Sequence, residues 1–291
     1  MIPNNNLSVL PWYTSIDQQN ARKWWIYNRI YPLFTPAGYL LPFQITKPHT
    51  GNATVYGFTV YYSDGTVYGN FTSEMNDALV MKQDALGNDI HIFGGQFPFF
   101  QSMPNGQYYC KIVFGGNYTL YSEIFTVVND ISPYLKIEWW DINDFVMDAG
   151  TIVYQYANGT QFKNVLYLQA EIAKPEYPFS EEGETRDGYF FPTKQISEKH
   201  YRFKFFASEY LLDVMRFIRM ADYAEITNNG QRYSLDTFLI TPEWEDNGDV
   251  AAVEAEFDTA TVAKKIGLGY IKAQRGDFND DFNDDYNNQQ S

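Results

Sequence analysis

Apolar and polar residues alternate along several short stretches of this chain, and turn residues separate the stretches. In residues 55–62, every second position carries one of four large apolar side chains, namely Tyr56, Phe58, Val60 and Tyr62. Asp64 and Gly65 follow, and this pair is typical of a two-residue hairpin turn, whose central residues both need φ > 0. The pattern therefore predicts a β-hairpin that returns through residues 66–72.

A second alternating stretch begins after Asn105 and Gly106. One face of the predicted strand carries Tyr108, Cys110, Ile112 and Phe114. Tyr108 and Cys110 have the Y-x-C spacing of the F strand of immunoglobulin domains, where the Tyr hydroxyl bonds to backbone a few residues upstream. The chain has 1 cysteine, so Cys110 is predicted to be a small buried hydrophobic residue. Residues 39–130 are predicted to form a β-sandwich, and an immunoglobulin-like topology is one that fits.

Residues 131–272 are predicted to form a second β-rich domain with one packed helix. Alternation recurs in residues 165–172, 201–205 and 253–257. A helix near 208–223 would have Ser208 as its N-cap, and its buried stripe would be Leu211, Met215 and Ile218. Residues 129–133 are predicted to be a linker between two independent folding units, and residues 175–187 an acidic loop. The predicted fold class is mostly β: an N-terminal immunoglobulin-like β-sandwich followed by an α+β domain.

The two ends of the chain are predicted to contact other molecules. Residues 1–38 form a predicted N-terminal arm, with a short helix that Asp17 could cap. Residues 273–291 form a predicted acidic tail, in which one aromatic residue recurs every four positions among acids and amides; a solvating tail is the alternative interpretation. The predicted partner-binding residues are Trp12, Trp24, Trp25, Tyr27, Phe278, Phe282 and Tyr286.

Composition narrows the function classes. Aromatic residues make up 18% of the 291 positions, which favours β structure and provides a large apolar surface. The net charge is -15 and no basic run occurs, so direct nucleic-acid recognition is not expected. Residues 1–10 lack the pattern of a signal peptide, and no stretch approaches the roughly 20 apolar residues of a membrane span. Neither a cofactor nor a membrane partner is therefore expected.

The chemistry-bearing residues do not form a recognisable catalytic motif. The 3 histidines, His49, His91 and His200, occur in no elbow or zinc-protease motif. A paired-carboxylate site for glycoside hydrolysis is the best enzyme-like alternative. It would use Trp139, Trp140 and four nearby acids: Glu138, Asp141, Asp144 and Asp148. The simpler interpretation is a strand end with two core tryptophans. No metal site is predicted, because Phe145 and Val146 interrupt the calcium-loop pattern that begins at Asp141.

Three stretches resemble a virion structural protein of a crAss-like tailed bacteriophage of Bacteroidota. They are NGQYYCKIVFGGNYTLYSEIFTVV (residues 105–128), IEWWD (137–141) and RDGYFFPTKQISEKHYRF (186–203). The resemblance implies a tail or neck ring protein, present in many symmetric copies and located in the virion after synthesis in the bacterial host cytoplasm. It implies contacts with copies of itself and with other tail, neck or portal proteins, and it implies no functional residues.

Two functions follow as hypotheses. The first is a non-enzymatic structural protein that forms a symmetric ring or adaptor. The second is a carbohydrate- or receptor-binding module, with or without glycan-cleaving activity, that uses Trp139, Trp140 and the nearby carboxylates. Burial of both tryptophans in one core would favour the first, whereas an exposed aromatic platform beside Asp141 and Asp144 would favour the second.

Overall fold

A computed structural model describes residues 8–16, 33–49, 54–84, 86–115, 118–146, 152–153, 156–157, 160–244, 250–259 and 263–266. The described chain is mostly β with little helix, as predicted. The helix predicted in the N-terminal arm and the whole acidic tail lie outside these residues.

The described residues of the first half form ten strands and one short α-helix. The strands are β1 (Trp12–Tyr13), β2 (Phe34–Pro36), β3 (Phe43–Pro48), β4 (Val55–Tyr62), β5 (Val67–Asn70), β6 (Val80–Gln83), β7 (Asn88–Phe93), β8 (Gly106–Phe114), β9 (Tyr118–Ser122) and β10 (Phe125–Val128). Helix α1 (Thr72–Ala78) connects β5 to β6, and a 3-10 turn (Pro98–Phe100) precedes β8.

These strands form an immunoglobulin-like sandwich. One sheet has the order β3-β7-β6, and the other places β4 between β5 and β8. The far side of β8 pairs with β9 at one end and with β10 at the other, and β2 adds in parallel to β10. This order corresponds to strands B-E-D in one sheet and C′-C-F-G in the other. The predicted topology is confirmed, with β8 as the F strand.

The Y-x-C stretch has the predicted geometry. The Tyr108 hydroxyl donates a hydrogen bond to the carbonyl oxygen of Pro104 at 2.9 Å, four residues upstream. Cys110 is fully buried, and burial raises the pKa of its thiol far above the ordinary value. The Ser122 hydroxyl accepts a hydrogen bond from the Cys110 backbone N–H at 2.8 Å. Cys110 is therefore the small core residue that the sequence predicts.

The second half contains the remaining described strands and a second helix. The strands are β11 (Tyr134–Trp140), β12 (Phe145–Val146), β13 (Ile152–Val153), β14 (Tyr156–Ala157), β15 (Thr160–Gln161), β16 (Asn164–Gln169), β17 (Phe179–Arg186), β18 (Tyr189–Ser197), β19 (His200–Ser208), β20 (Tyr223–Asn228), β21 (Gln231–Ser234), β22 (Leu239–Trp244), β23 (Val250–Asp258) and β24 (Ala263–Ile266). Helix α2 (Glu209–Met215) continues into a 3-10 turn (Arg216–Met220).

Three sheets of this half have the orders β16-β11-β20-β21, β19-β23-β22 and β17-β18-β24, and β12-β13 and β14-β15 are two-stranded ladders. Alternate residues of β19 and β23 are buried, because each strand faces the core on one side only. The Ser208 hydroxyl accepts a hydrogen bond from the Leu211 N–H at 3.4 Å, as expected of an N-cap. Leu211, Met215 and Ile218 are all buried, so the predicted stripe is confirmed.

The two halves share a sheet and a core, which contradicts the prediction of two independent folding units split at residues 129–133. Strand β2 lies between β10 and β16, where Phe34 is opposite Tyr167. The Phe34 ring also packs on Tyr134 of β11, with 4.8 Å between ring centroids. One cluster of buried apolar residues spans both halves. The prediction is wrong because residues 34–36 were assigned to the arm, whereas they form β2, which pairs with β10 in the first half and with β16 in the second.

Two further predictions need correction. The described part of the arm packs within the chain, because β1 pairs with β9 and the Tyr210 hydroxyl donates to the Ser8 carbonyl oxygen. The predicted acidic loop at residues 175–187 contains β17, which pairs with β18 along its full length. Its glutamates did not prevent strand formation, because the side chains of residues 179–185 are all exposed to solvent.

Candidate functional site

Trp12 lies in the core, although it was predicted to contact a partner. Its side chain is fully buried and packs edge-on against Phe43, with 4.9 Å between ring centroids. The structure thus places Trp12 inside its own chain, where a neighbouring molecule cannot reach the indole. The other predicted partner-binding residues lie outside the described part of the chain: Trp24, Trp25, Tyr27, Phe278, Phe282 and Tyr286.

Trp139 and Trp140 lie on opposite faces of β11. Trp139 is buried in the core. Trp140 stacks on Tyr223, its cross-strand partner, with 5.4 Å between centroids, and Lys163 Nζ lies 3.8 Å from the Trp140 ring centroid. The two tryptophans therefore form neither one buried pair nor one exposed platform.

Two acids near Trp140, Asp141 and Asp222, accept hydrogen bonds from backbone N–H groups. The Asp222 N–H donates to Asp141 Oδ1 at 3.0 Å, and the Ile142 N–H donates to Asp222 Oδ2 at 2.8 Å. Partial burial raises the pKa of Asp141, and the nearby Asp222 charge acts in the same direction. Glu138 forms an ion pair with Lys136 at 2.8 Å. These contacts fit the strand-end interpretation of the cluster, and Asp148 lies outside the described residues.

A polar cluster is buried at one end of the sandwich. Lys47 Nζ lies 2.7 Å from Asp89 Oδ2, and both side chains are almost fully inaccessible to solvent. Asp89 Oδ1 also contacts His49 Nδ1 at 2.8 Å and accepts a hydrogen bond from Gln83 Nε2 at 3.1 Å. Burial opposes the charge of Asp89, but the hydrogen bonds from Lys47, His49 and Gln83 outweigh it and lower the pKa to about 2.

His91 lies on the same strand as Asp89, and its side chain is buried against Phe114, with 4.4 Å between ring centroids. Burial lowers its pKa to about 4, and the charge of Lys47 adds to this effect. Its Nε2 has no hydrogen-bond partner among the described residues. This environment stabilises the neutral form of the His91 imidazole, next to the Lys47–Asp89 ion pair.

His200 lies at the start of β19 and contacts two acids of β23. Its Nδ1 is 2.9 Å from Asp258 Oδ1, and its Nε2 is 3.8 Å from Glu256 Oε2. Asp258 Oδ2 accepts a hydrogen bond from the Thr237 hydroxyl at 2.8 Å. Within the described ranges, no group of three or more His, Cys, Asp or Glu residues is arranged to hold a metal ion.

Several exposed apolar side chains lie on or beside the sheet β17-β18-β24, here called the projecting sheet. Five of the large apolar side chains on it or at its base are between 50% and 72% exposed, and they are Tyr177, Phe179, Tyr189, Phe190 and Ile266. Residues 179–185 of β17 and all of β24 are exposed, so most of the sheet is open to solvent. This surface is the best candidate site for contact with another molecule.

The projecting sheet is held in shape by its turn and by one glycine. Asp187 and Gly188 both have positive φ, 49° and 80°, which is the conformation of a two-residue hairpin turn. A Cβ at Gly183 would lie 2.3 Å from the Phe191 carbonyl oxygen and 2.7 Å from the Phe190 ring, so only glycine fits there. The two consecutive aromatics Tyr189 and Phe190 are consequently displayed at the tip.

The sequence contains a signal for this hairpin, although residues 175–187 were predicted to be a loop. Asp187-Gly188 is the same residue pair as Asp64-Gly65, and aromatic residues follow it directly. At the earlier pair only Gly65 has positive φ, at 93°, so the predicted two-residue turn geometry is wrong for Asp64-Gly65 and holds for Asp187-Gly188. The three glutamates of β17 favoured the loop prediction, because acidic residues are less frequent in strands than in loops.

No protein-family model matches this chain, and no curated protein matches it either. Across the described residues, we find no helix with the length and apolar character needed to cross a membrane.

Proposed function

We propose that this protein is a structural assembly protein without enzymatic activity, which forms a symmetric ring or adaptor in the tail of a phage virion. The observation that supports the proposal best is the projecting sheet, whose aromatic side chains are left uncovered by the described chain. The resemblance of residues 105–128, 137–141 and 186–203 to crAss-like virion proteins supports the same assignment.

The exposed aromatics favour assembly for an energetic reason. Exposed apolar side chains scattered singly are common, whereas this one sheet exposes Phe179 at one end of its hairpin and Tyr189 and Phe190 on opposite faces at the other, which is typical of an interaction surface. Burying one large aromatic side chain contributes roughly 2 to 3 kcal/mol. In a closed ring each contact is repeated by symmetry, so a modest contact per copy is sufficient.

The polar clusters described above support a structural role more than a chemical one. His49 and His200 contact carboxylates, and Asp141 and Asp222 bond to backbone N–H groups. Each of these contacts fixes the position of a strand or a turn. Trp24, Trp25 and Tyr27, and the aromatics of residues 273–291, retain their proposed role in contacts with neighbouring copies or other virion proteins.

The test is the oligomeric state of the full chain. We expect native mass spectrometry and negative-stain electron microscopy to show closed rings. The double variant Tyr189→Ser/Phe190→Ser should reduce the assembled fraction at least tenfold, because it removes the aromatic tip.

Leu86→Ser is the matched control, since Leu86 is an exposed apolar residue in the turn between β6 and β7, away from the projecting sheet. This variant should assemble like the wild type. The proposed function would be contradicted if the wild-type chain stays monomeric at all concentrations, both alone and when it is mixed with other proteins of the virion.

A further inference from the structure

The two outer edges of the projecting sheet carry opposite charges. Strand β17 pairs only with β18 among the described strands, and so does β24, so each has one open edge. Glu181, Glu182 and Glu184 lie on β17, and Lys264 and Lys265 lie on β24. All five residues are exposed. One sheet therefore presents an acidic edge and a basic edge.

The charges are also matched face by face. The register places Glu181, Gln195 and Lys265 on one face, and Ser180, Ile196 and Lys264 on the other. Glu182 lies on the face of Lys264, because Glu182 pairs with Lys194 and Lys194 pairs with Ile266. Each face thus has at least one glutamate at the acidic edge and one lysine at the basic edge.

We infer that the basic edge of one copy contacts the acidic edge of the next copy, so that projecting sheets join head to tail. This inference rests on the proposed ring assembly and identifies the interface that closes the ring. Strands β17 and β24 run in the same direction, because both are antiparallel to β18. Rotation about an axis along the strands would therefore place β24 parallel to the β17 of the neighbouring copy.

The charges favour a second copy of this chain as the molecule that binds each open edge. Pairing two acidic edges or two basic edges, as a two-fold dimer would require, places like charges opposite each other. A head-to-tail contact pairs opposite charges and leaves one open edge of each kind, so it continues until the ring closes.

Apolar side chains lie at the same level of the sheet as the charged edges. Phe179 of β17 is aligned with Ala263 of β24 through Ser197, and Ile266 of β24 is aligned with Glu182 of β17 through Lys194. Phe179 and Ile266 are 61% and 67% exposed, so an edge-to-edge contact between copies would bury apolar surface at both edges.

Charge reversal tests the inference directly. We expect Lys264→Glu/Lys265→Glu to reduce the assembled fraction of the full chain at least tenfold in native mass spectrometry, and Glu181→Lys/Glu182→Lys to do the same. The chain with all four substitutions should assemble again, because its edges are again complementary. An equimolar mixture of the two double variants should form assemblies that contain both in equal numbers.

The control is Lys174→Glu/Arg219→Glu, which changes the net charge as much as Lys264→Glu/Lys265→Glu at exposed positions away from both edges. It should assemble like the wild type. Circular dichroism checks that each variant is folded, and assembly of the wild type should weaken as salt is raised, because salt screens exposed charges.

The outcomes separate this inference from the proposed function. Rings that form equally well from Lys264→Glu/Lys265→Glu would overturn the edge contact and leave the ring function intact. Failure of the four-substitution chain and of the mixture would also overturn it. Stronger assembly of Lys264→Glu/Lys265→Glu would also overturn it, because it would show that the two lysines prevent β24 from pairing with another strand. A wild type that never assembles would overturn both proposals.

Discussion

At the scale of single residues, the buried Lys47–Asp89 pair shows how the sandwich tolerates charge in its interior. The pair lies on facing positions of β3 and β7, and Asp89 has further contacts to His49 and Gln83. A buried ion pair is costly to break, because the remaining charge is then left without a partner. The cluster therefore fixes the register of β3 on β7 and leaves His91 as an uncharged neighbour.

His91 should make the stability of the protein depend on pH. The unfolded chain binds a proton at His91 below about pH 6.5, whereas the folded chain keeps this side chain neutral until about pH 4. The unfolded state thus binds more protons between these values, so this contribution to stability is complete above pH 6.5 and is lost as the pH falls towards 4. The loss should be on the order of 3 kcal/mol.

Urea unfolding of the wild type and of His91→Leu between pH 4 and pH 7 measures this effect. The substitution removes the titrating group, so the free energy of unfolding of His91→Leu should decrease less as the pH falls. Equal pH dependence in the two proteins would show that His91 does not titrate between the folded and unfolded states as described.

At the scale of secondary structure elements, the projecting sheet differs from the other sheets because it does not rely on a buried face. Strands β11, β19 and β23 bury every second side chain, whereas every described side chain of β17 and β24 is exposed. Its order depends on the turn at Asp187 and Gly188, on the β17–β18 ladder and on ion pairs such as Lys194–Glu182, at 2.6 Å. Such a sheet can be disrupted without unfolding the core.

Gly183→Val should disorder the hairpin selectively. The new Cβ would overlap the Phe191 carbonyl oxygen, so the β17–β18 ladder must open at this point. We expect limited proteolysis to cut residues 179–197 at least tenfold faster, while the urea midpoint of the core changes little. Gly57→Ala is the control, because a Cβ at Gly57 would only make ordinary contacts with Val113, at 3.7 Å. Unchanged proteolysis in Gly183→Val would refute this description of the hairpin.

At the scale of the whole molecule, the N-terminal segment joins the two halves. Strand β2 pairs with β10 on one side and β16 on the other, and Ser8 bonds to Gln44 in the first half and Tyr210 in the second. Strand β16 is buried on both faces over residues 165–168, because it lies where the halves meet. The described residues therefore share one main core that spans both halves, and no residue of the projecting sheet belongs to it.

Deletion of residues 1–38 should prevent folding. The deletion removes at least five core residues: Val9, Leu10, Trp12, Leu33 and Phe34. At about 1.5 to 3 kcal/mol for each buried side chain, the loss approaches or exceeds the whole stability of a typical protein, about 5 to 15 kcal/mol. Deletion of residues 273–291 is the control and should leave the core folded. Circular dichroism and urea titration measure both, and a cooperative transition after removal of residues 1–38 would contradict the structural role of β1 and β2.

The sequence by itself determined those features that depend on neighbouring residues. Alternation predicted β4, β8, β19 and β23, the pair Asp64-Gly65 predicted a turn, and Ser208 predicted a helix start. The Y-x-C spacing even predicted the hydrogen bond of Tyr108, because its partner lies only four residues away. Each of these signals is contained within a few positions of the chain.

Only the tertiary structure decided which distant segments meet. The position of β2 between β10 and β16 joins residues more than 80 positions apart, and no local pattern contains that information. The burial of Trp12 and the acidic and basic edges of the projecting sheet are likewise set by strand order. Trp139 and Trp140 point to opposite faces because they are consecutive residues of one strand, but which of the two is buried depends on the fold. Strand order depends on how all the apolar faces are buried together, so it is a property of the whole fold and not of any one segment.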